Sequence, residues 1–367
     1  MDRVSVVVIG GGVVGCAVAA EAALRWRDVF VLEALPRPGL GASSRNSGVI
    51  HSGIYYPPGS LKARLCVEGN RLTYAFAAQH GVPHRRTGKL IVAIRPEEIA
   101  QLERLAENGR QNGLEGLELL DAAAVRQREP HVAACAAIQV PSTGLVASED
   151  LVRAYARVAA ERGAELVTGA RVEALEPVTD AVRVRSTAGE IEARAVVNAA
   201  GLFADEVAAL LGPRPWRIYP VRGEYCELVR ERSDLVRGLV YPLPRHDGLS
   251  LGVHLTRTLW GTVLVGPTAR YVADKNDYER DREPVEAFVR YARPLLPELR
   301  VEDLRPAYTG LRAKLAPPGQ PGFRDFVIEA DPEVPRVIHL IGIESPGLTA
   351  APAIARYVAE LLSGVLS

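Results

Sequence analysis

Val4-Ser5-Val6-Val7-Val8-Ile9 runs straight into Gly10-Gly11-Gly12-Val13-Val14-Gly15, and this junction decides the fold. The first six residues form a short apolar run, which predicts a strand buried on both faces of a parallel sheet. Gly10-x-Gly12-x-x-Gly15 turns the chain, and Val14–Leu24 reads as an alanine-rich helix. Val29–Leu32 predicts a second strand that ends on Glu33. Strand, glycine turn, helix, strand and acid together make a βαβ dinucleotide-binding unit. Gly10 permits the tight turn, Gly12 lets backbone approach a pyrophosphate, and Gly15 lets helix and strand pack closely. The helix that opens at Val14 offers N–H donors and a positive dipole to the phosphates. Glu33 is placed to accept hydrogen bonds from ribose hydroxyls.

The same residues have a second reading. Val4 to Ala23 is apolar enough for a signal peptide, and Val13-Val14-Gly15-Cys16 resembles a lipoprotein cleavage box. Against export, Asp2 offsets the basic Arg3, three glycines interrupt the apolar run, and Glu21 follows closely. The strand-and-helix reading accounts for every one of these residues.

The chain has 367 residues, enough for two lobes. Lys+Arg and Asp+Glu both total 44, so no net field attracts nucleic acid or anionic lipid. Cys16, Cys66, Cys135 and Cys226 are scattered without a C-x-x-C pair, which fits reduced thiols in a cytoplasmic chain. No apolar run is long enough to span a membrane, although peripheral contact at its inner face stays open. His80, His84, His131, His246 and His339 show no metal-ligand spacing.

Further along, Gly39–Gly59 is a glycine- and serine-rich loop, followed by a predicted helix from Ser60 to His80. Lys89–Ile94 reads as a strand and Glu97–Asn112 as a solvated helix. Ser148, with Glu149 and Asp150 behind it, starts a helix to about Arg162. Beyond Trp216 the period changes to two, with strands predicted at Tyr225–Val229, Leu249–Arg257, Thr262–Val265 and Leu304–Leu315. The tail returns to a buried strand (Val337–Ile343), a glycine turn and a helix (Ala350–Leu362) with Pro352 in its first turn. The fold class is therefore α/β, α+β overall: a Rossmann-type domain with an interleaved mixed or antiparallel substrate domain. Residues 1–80, 144–212 and 325–367 are expected to form the first domain, and 81–143 and 213–324 the second.

The glycine motif alone does not choose between NAD and FAD. The loop holding Ser43, Ser44, Arg45, Asn46 and Ser47 supplies small residues and donors for the far end of a cofactor. Gly342 to Thr349 leads into the last helix, whose N-terminus favours negative charge such as that on a reduced flavin. Each loop alone reads as a turn; together they fit a cofactor that spans both ends of the chain, as FAD would.

Ser44-Arg45-Asn46-Ser47-Gly48-Val49-Ile50-His51-Ser52-Gly53-Ile54-Tyr55-Tyr56, then Gly59-Ser60-Leu61-Lys62-Ala63, resembles the L-2-hydroxyglutarate oxidase/dehydrogenase family. Arg222 to Tyr225, Tyr241 to Pro244, Leu251 to Arg257, Arg305 to Gly310 and Gly342 to Thr349 resemble it in the same order. The similarity covers nearly the whole chain. It implies the D-amino-acid oxidase-like fold, FAD, and oxidation of L-2-hydroxyglutarate or a related 2-hydroxy acid by hydride transfer to the flavin. The electron acceptor, whether oxygen, a quinone or a carrier, stays open. Further cofactor contacts are then expected at Val172, Ala200, Gly201, Gly310, Gly347, Leu348 and Thr349. Substrate contact is expected at Tyr241, and His51 is expected close to the flavin ring, where an imidazole suits proton transfer.

Alternation places other candidates independently. His254 and Thr256 share a polar face of one strand, with Arg257 on the other. Tyr308, Gly310, Arg312 and Lys314 share a face of the last long strand. If these faces meet, His254, Thr256, Tyr308 and Arg312 form a carboxylate-binding wall, with arginine supplying a bidentate fork. Lys314, near the strand end, is expected to be solvated. Three rivals remain at this point: an amine or amino-acid oxidase on the same fold, an exported flavin-binding or lipid-anchored protein, and a nicotinamide-dependent dehydrogenase.

Overall fold

The computed structural model describes residues 3–244, 251–320 and 322–366. The β-branched start forms a strand, Arg3–Ile9, with Val29–Glu33 parallel on one side and Gly189–Asn198 parallel on the other. Glu165–Thr168 and Val337–Ile341 extend the parallel sheet in opposite directions. Val172–Val178, Ala181–Ser186 and Val327–Ala330 add antiparallel strands to it.

Both faces of that sheet are covered, as an unbroken apolar strand requires. Val6 and Val8 point into a core built with helices Val13–Ala22, Ser148–Glu161 and Gly347–Leu366. Val4, Val7 and Ile9 point the other way, into a core with Leu175, Val182 and Val184. The first helix lies close to its strand because Gly15 leaves room: a Cβ there would stand 1.8 Å from the Gly10 carbonyl oxygen. Gly10 itself adopts φ +106°, a conformation L side chains rarely take.

The second large sheet is mixed and mostly antiparallel. Tyr219–Leu228 pairs with Leu304–Lys314 along nearly its whole length, and with Val263–Gly266. The order then continues through His254–Arg257, Leu239–Pro242 and Leu90–Ala93 to Ala136–Gln139 and Glu118–Asp121. One face packs on Phe288 and Val289 of helix Val285–Ala292.

Several expected boundaries move. The strand read from Leu249 begins at His254; Leu249, Ser250 and His246 lie outside the described residues. The helix read from Ala350 starts at Gly347, so Pro352 falls in its second turn instead of its first. Glu97–Asn112 divides into a short 3-10 turn, Pro96–Glu98, and a helix, Ile99–Gln111, because Pro96 sets the turn. Among the described residues, no helix is long and apolar enough to cross a membrane.

Candidate active site

One cavity of about 450 Å³ runs between the two large sheets. Gly12, Val13 and Val14 line one part of it and Gly347 and Leu348 another, so it reaches the N-termini of both the first and the last helix. Ser43, Arg45, Asn46 and Ser47 line it between them, as do Ala199 and Gly201.

The expected cofactor residues fall into two groups. Gly12, Val14, Ser43, Arg45, Asn46, Ser47, Gly201, Gly310, Gly347 and Leu348 line the cavity. Gly10 and Gly15 lie behind it as packing positions. Glu33 is committed to its surroundings: Gly11 N–H donates to its Oε2 at 2.6 Å and Leu35 N–H to its Oε1 at 2.8 Å. That bond gives Gly11, the one glycine of the turn without an assigned task, a role in aiming the acid at the turn. Ser43 Oγ accepts from Val13 N–H at 2.9 Å and caps the first helix. Thr349 Oγ1 accepts from the His51 amide at 2.9 Å, joining the flavin loop to the last helix. Ser44 Oγ turns back to the Gly41 carbonyl at 3.2 Å, and the Asn198 side chain accepts from the Ala200 amide. Val172 packs beside Leu32 and Val184, away from the cavity.

Loop and sheet are held together closely. A Cβ on Gly310 would stand 2.1 Å from the Arg45 carbonyl oxygen. Tyr308 donates its hydroxyl to the Asn46 carbonyl at 2.8 Å, and its ring lies against Tyr225. The Arg45 guanidinium covers the Tyr278 ring at 4.4 Å.

His51, Tyr241, His254 and Arg312 come together on the cavity wall; Thr256 and Tyr308 do not line it. Thr256 is buried behind Tyr241, and Tyr308 is occupied by the loop. The wall read from strand alternation therefore keeps two of its four members. Arg257 turns away, donating to the Ser233 and Val236 carbonyls.

The Nδ1 of His254 lies 2.9 Å from the Gly252 carbonyl oxygen, so in the neutral ring Nδ1 carries the proton and Nε2 keeps its lone pair. Burial pushes this imidazole well below its ordinary basicity, and Arg312, His51 and Lys89 press the same way. His51 is pushed down to about 3, first by burial and then by the charges of Lys89 and Arg312. Both rings are neutral in the physiological range.

Three cavity residues had no place in the carboxylate wall. Lys62 Nζ and Lys314 Nζ both meet Glu344 Oε1, at 2.9 and 3.2 Å, and all three side chains are largely buried. Burial raises the Glu344 carboxyl, but the two lysines outweigh it and leave it below its usual value. Lys314 is thus a cavity residue, not a solvated strand end; partner Glu344 sits in a distant loop that strand alternation cannot register. Lys62 lies within a motif that was legible, but nothing local marks its role.

Of twelve buried side-chain polar atoms without a hydrogen-bond partner among the described residues, six surround this cavity. They belong to His51, Tyr55, Lys89, Tyr241, Thr256 and Arg312. Unpaired buried donors and acceptors are costly, and their concentration marks a place where a polar ligand completes the hydrogen bonding. A flavin dinucleotide suits the cavity: two helix N-termini for its anionic parts, and a glycine at position 12 where a Cβ would stand 3.2 Å from Ser43 Oγ.

Comparison with known proteins agrees with this geometry. The model of the FAD dependent oxidoreductase family matches residues 5–361. L-2-hydroxyglutarate dehydrogenase of Escherichia coli (strain K12) is 33% identical, covering 98% of this chain and 93% of that relative. The mitochondrial L-2-hydroxyglutarate dehydrogenase of Arabidopsis thaliana is 35% identical, covering 98% of this chain and 83% of its own length. Among solved structures, dithionite-reduced L-alpha-glycerophosphate oxidase from Mycoplasma pneumoniae with FAD bound superposes with a TM-score of 0.90. It is 27% identical, over 99% of this chain and 95% of that one.

Proposed function

This chain belongs to the FAD-dependent oxidoreductase family, and from that premise we propose that it oxidises L-2-hydroxyglutarate, or a close 2-hydroxy acid, to the 2-oxo acid. The observation that carries the substrate class is the charge of the cavity. Arg45, Lys62, Arg312, Lys314 and Arg324 line it against one carboxylate, Glu344, so the lining carries an excess of positive charge; nearest Glu344, Lys62 and Lys314 share that single carboxylate while Arg312 has none. A substrate with two carboxylates offsets more of this excess than a monocarboxylate such as glycine.

FAD, when bound, supplies the acceptor for the hydride that leaves C2. Gly12, Val13 and the Ser43–Ser47 loop would hold its phosphate side, and Gly347 and Leu348 its ring side. His51 takes the hydroxyl proton, for which a neutral imidazole is required. Burial holds its basicity down first, and the charges of Lys89 and Arg312 add to the effect. A dianion entering against those charges raises it, so the base strengthens as the substrate arrives. Arg312, with Nη1 unpaired, grips the C1 carboxylate as a fork, and the Lys62–Lys314 pair faces the distal one. His254 orients the substrate through Nε2. With all four cysteines free, a cytoplasmic setting is consistent with this chemistry.

The test is anaerobic bleaching of the bound flavin by a panel: L- and D-2-hydroxyglutarate, L-lactate, glycine, sarcosine and glycerol 3-phosphate. The L-dicarboxylate should reduce the flavin fastest. Faster bleaching by glycine or sarcosine would replace this reading with an amine oxidase.

A further inference from the structure

Lys89 sits one layer behind the cavity wall, at the start of strand Leu90–Ala93. It is 2% exposed, yet its Nζ has no hydrogen-bond partner among the described residues. Instead the ammonium lies 4.4 Å from the Tyr55 ring centroid and 4.6 Å from that of Tyr241. Its backbone is fixed on both sides, exchanging hydrogen bonds with Val140 at 3.1 and 2.8 Å. An ordinary core position would carry leucine here. An unpaired buried lysine costs several kcal/mol unless the charge is used or given up, roughly the scale of a desolvated ion.

The surroundings show what uses it. Tyr241 also carries His254 stacked on its ring, 3.8 Å between ring centroids and 16° between planes. Lys89, Tyr241 and His254 therefore form one column, with Tyr55 closing the other side of the ammonium. The titratable groups around Lys89 are the Cys66 thiol of helix Leu61–Gln79, Tyr55 and His51 of the flavin loop, and Tyr241 and His254 of the sheet. None of them is an anion at neutral pH, since burial raises the thiol and both phenols.

We propose that Lys89 is a positioning residue for the reaction: held between Tyr55 and Tyr241, it fixes the ring on which His254 stacks and sets an uncompensated positive charge behind both imidazoles. The charge adds to burial in keeping His51 and His254 unprotonated, and it is offset when an anionic substrate enters. Because burial brings the lysine down to about 7, the charge is itself present below neutrality and released above it. The inference rests on the oxidation reading for its purpose, and the test below does not use substrate.

The test is to follow imidazole ¹⁵N resonances of the FAD-loaded protein from about pH 3 to 9, assigned with His51→Asn and His254→Asn. In the wild type, resonances of the two neutral rings should shift with a midpoint near 7, set by Lys89. Lys89→Met should abolish that midpoint and move imidazole protonation up by about one pH unit. Lys89→Arg, permanently charged, should abolish the midpoint while keeping the rings as resistant to protonation as in the wild type. A wild type without the midpoint, or a Lys89→Met protein that keeps it, overturns the proposal. If Lys89→Met does not fold, the wild type and Lys89→Arg decide. Failure of L-2-hydroxyglutarate to bleach the flavin would overturn the substrate reading and leave these spectra unchanged, so the two fail separately.

Discussion

The imidazole of His254 lies flat on the phenol ring of Tyr241, with centroids 3.8 Å apart and planes 16° from parallel. A ring in that arrangement can neither flip nor tilt without displacing Tyr241, which is itself fully buried. With Nδ1 tied to the Gly252 carbonyl, the stack leaves Nε2 one direction in which to point. Tyr241→Phe keeps the surface and should leave the KM for L-2-hydroxyglutarate within about threefold of wild type. Tyr241→Leu removes the platform and should raise KM by roughly tenfold or more, the size of a 1.4 kcal/mol loss. Equal effects in the two variants would show that the hydroxyl matters and the stack does not.

Gly310 is where sheet and cofactor loop meet. Gly310→Ala drives a methyl into the Arg45 carbonyl and displaces the Ser43–Ser47 backbone from the cavity. FAD affinity should fall by roughly tenfold or more, measured by recovery of flavin fluorescence on dilution. Wild-type affinity would mean that this loop does not hold the cofactor.

Arg312→Lys keeps the positive charge and loses the fork. KM for the dicarboxylate should rise by roughly 10- to 100-fold, the worth of one charge-assisted hydrogen bond, with a smaller fall in kcat. Lys314→Met should raise KM for the dicarboxylate and leave that for a 2-hydroxy monocarboxylate unchanged. Parallel losses on both substrates would remove Lys314 from the distal subsite.

What could be read from the chain and what could not follows from range. Gly10, Gly12 and Gly15 report local backbone needs, so the dinucleotide unit was legible within the single stretch Val4–Glu33. The alternation around His254 and Arg312 placed both on cavity-facing sides of their strands, but alternation says only which face a residue takes. It could not tell that the face holding Tyr308 meets the Asn46 carbonyl, or that Thr256 stops behind Tyr241. Lys89 was the hardest case, since its neighbours come from three separate segments. The available signal was a lysine opening the fully buried run Leu90–Ala93, where a charge has no solvent to reach.

Buried neutral histidines make stability depend on pH. His51 titrates near 6.5 when unfolded and about 3 when folded, so below 6.5 the unfolded chain binds a proton that the folded chain refuses. Stability is therefore full above 6.5 and falls as pH drops toward 3, by up to about 1.4 kcal/mol per pH unit for each such histidine. His254 adds to the same slope. Urea unfolding at several pH values should show His51→Asn losing less stability on acidification than wild type. An unchanged slope would mean that His51 protonates without cost.

The last prediction separates the two histidines. Both line the cavity: Nδ1 of His51 is buried and has no hydrogen-bond partner among the described residues, while His254 has spent Nδ1 on Gly252. His51 also belongs to the loop that Thr349 ties to the last helix, on the ring side of the cofactor site. His254 belongs to the sheet that carries Arg312 and Lys314. The base is therefore assigned to His51. His51→Ala should slow single-turnover flavin reduction by roughly 10²–10⁴-fold, with the substrate Kd little changed. His254→Ala should chiefly weaken binding, raising KM while flavin reduction at saturation stays within about tenfold of wild type. The comparison is made across pH, because a lost base also removes the acidic limb of the rate profile. Should His51→Ala reduce its flavin at the wild-type rate while His254→Ala does not, the two roles exchange, and the column Lys89–Tyr241–His254 becomes the support of the base itself.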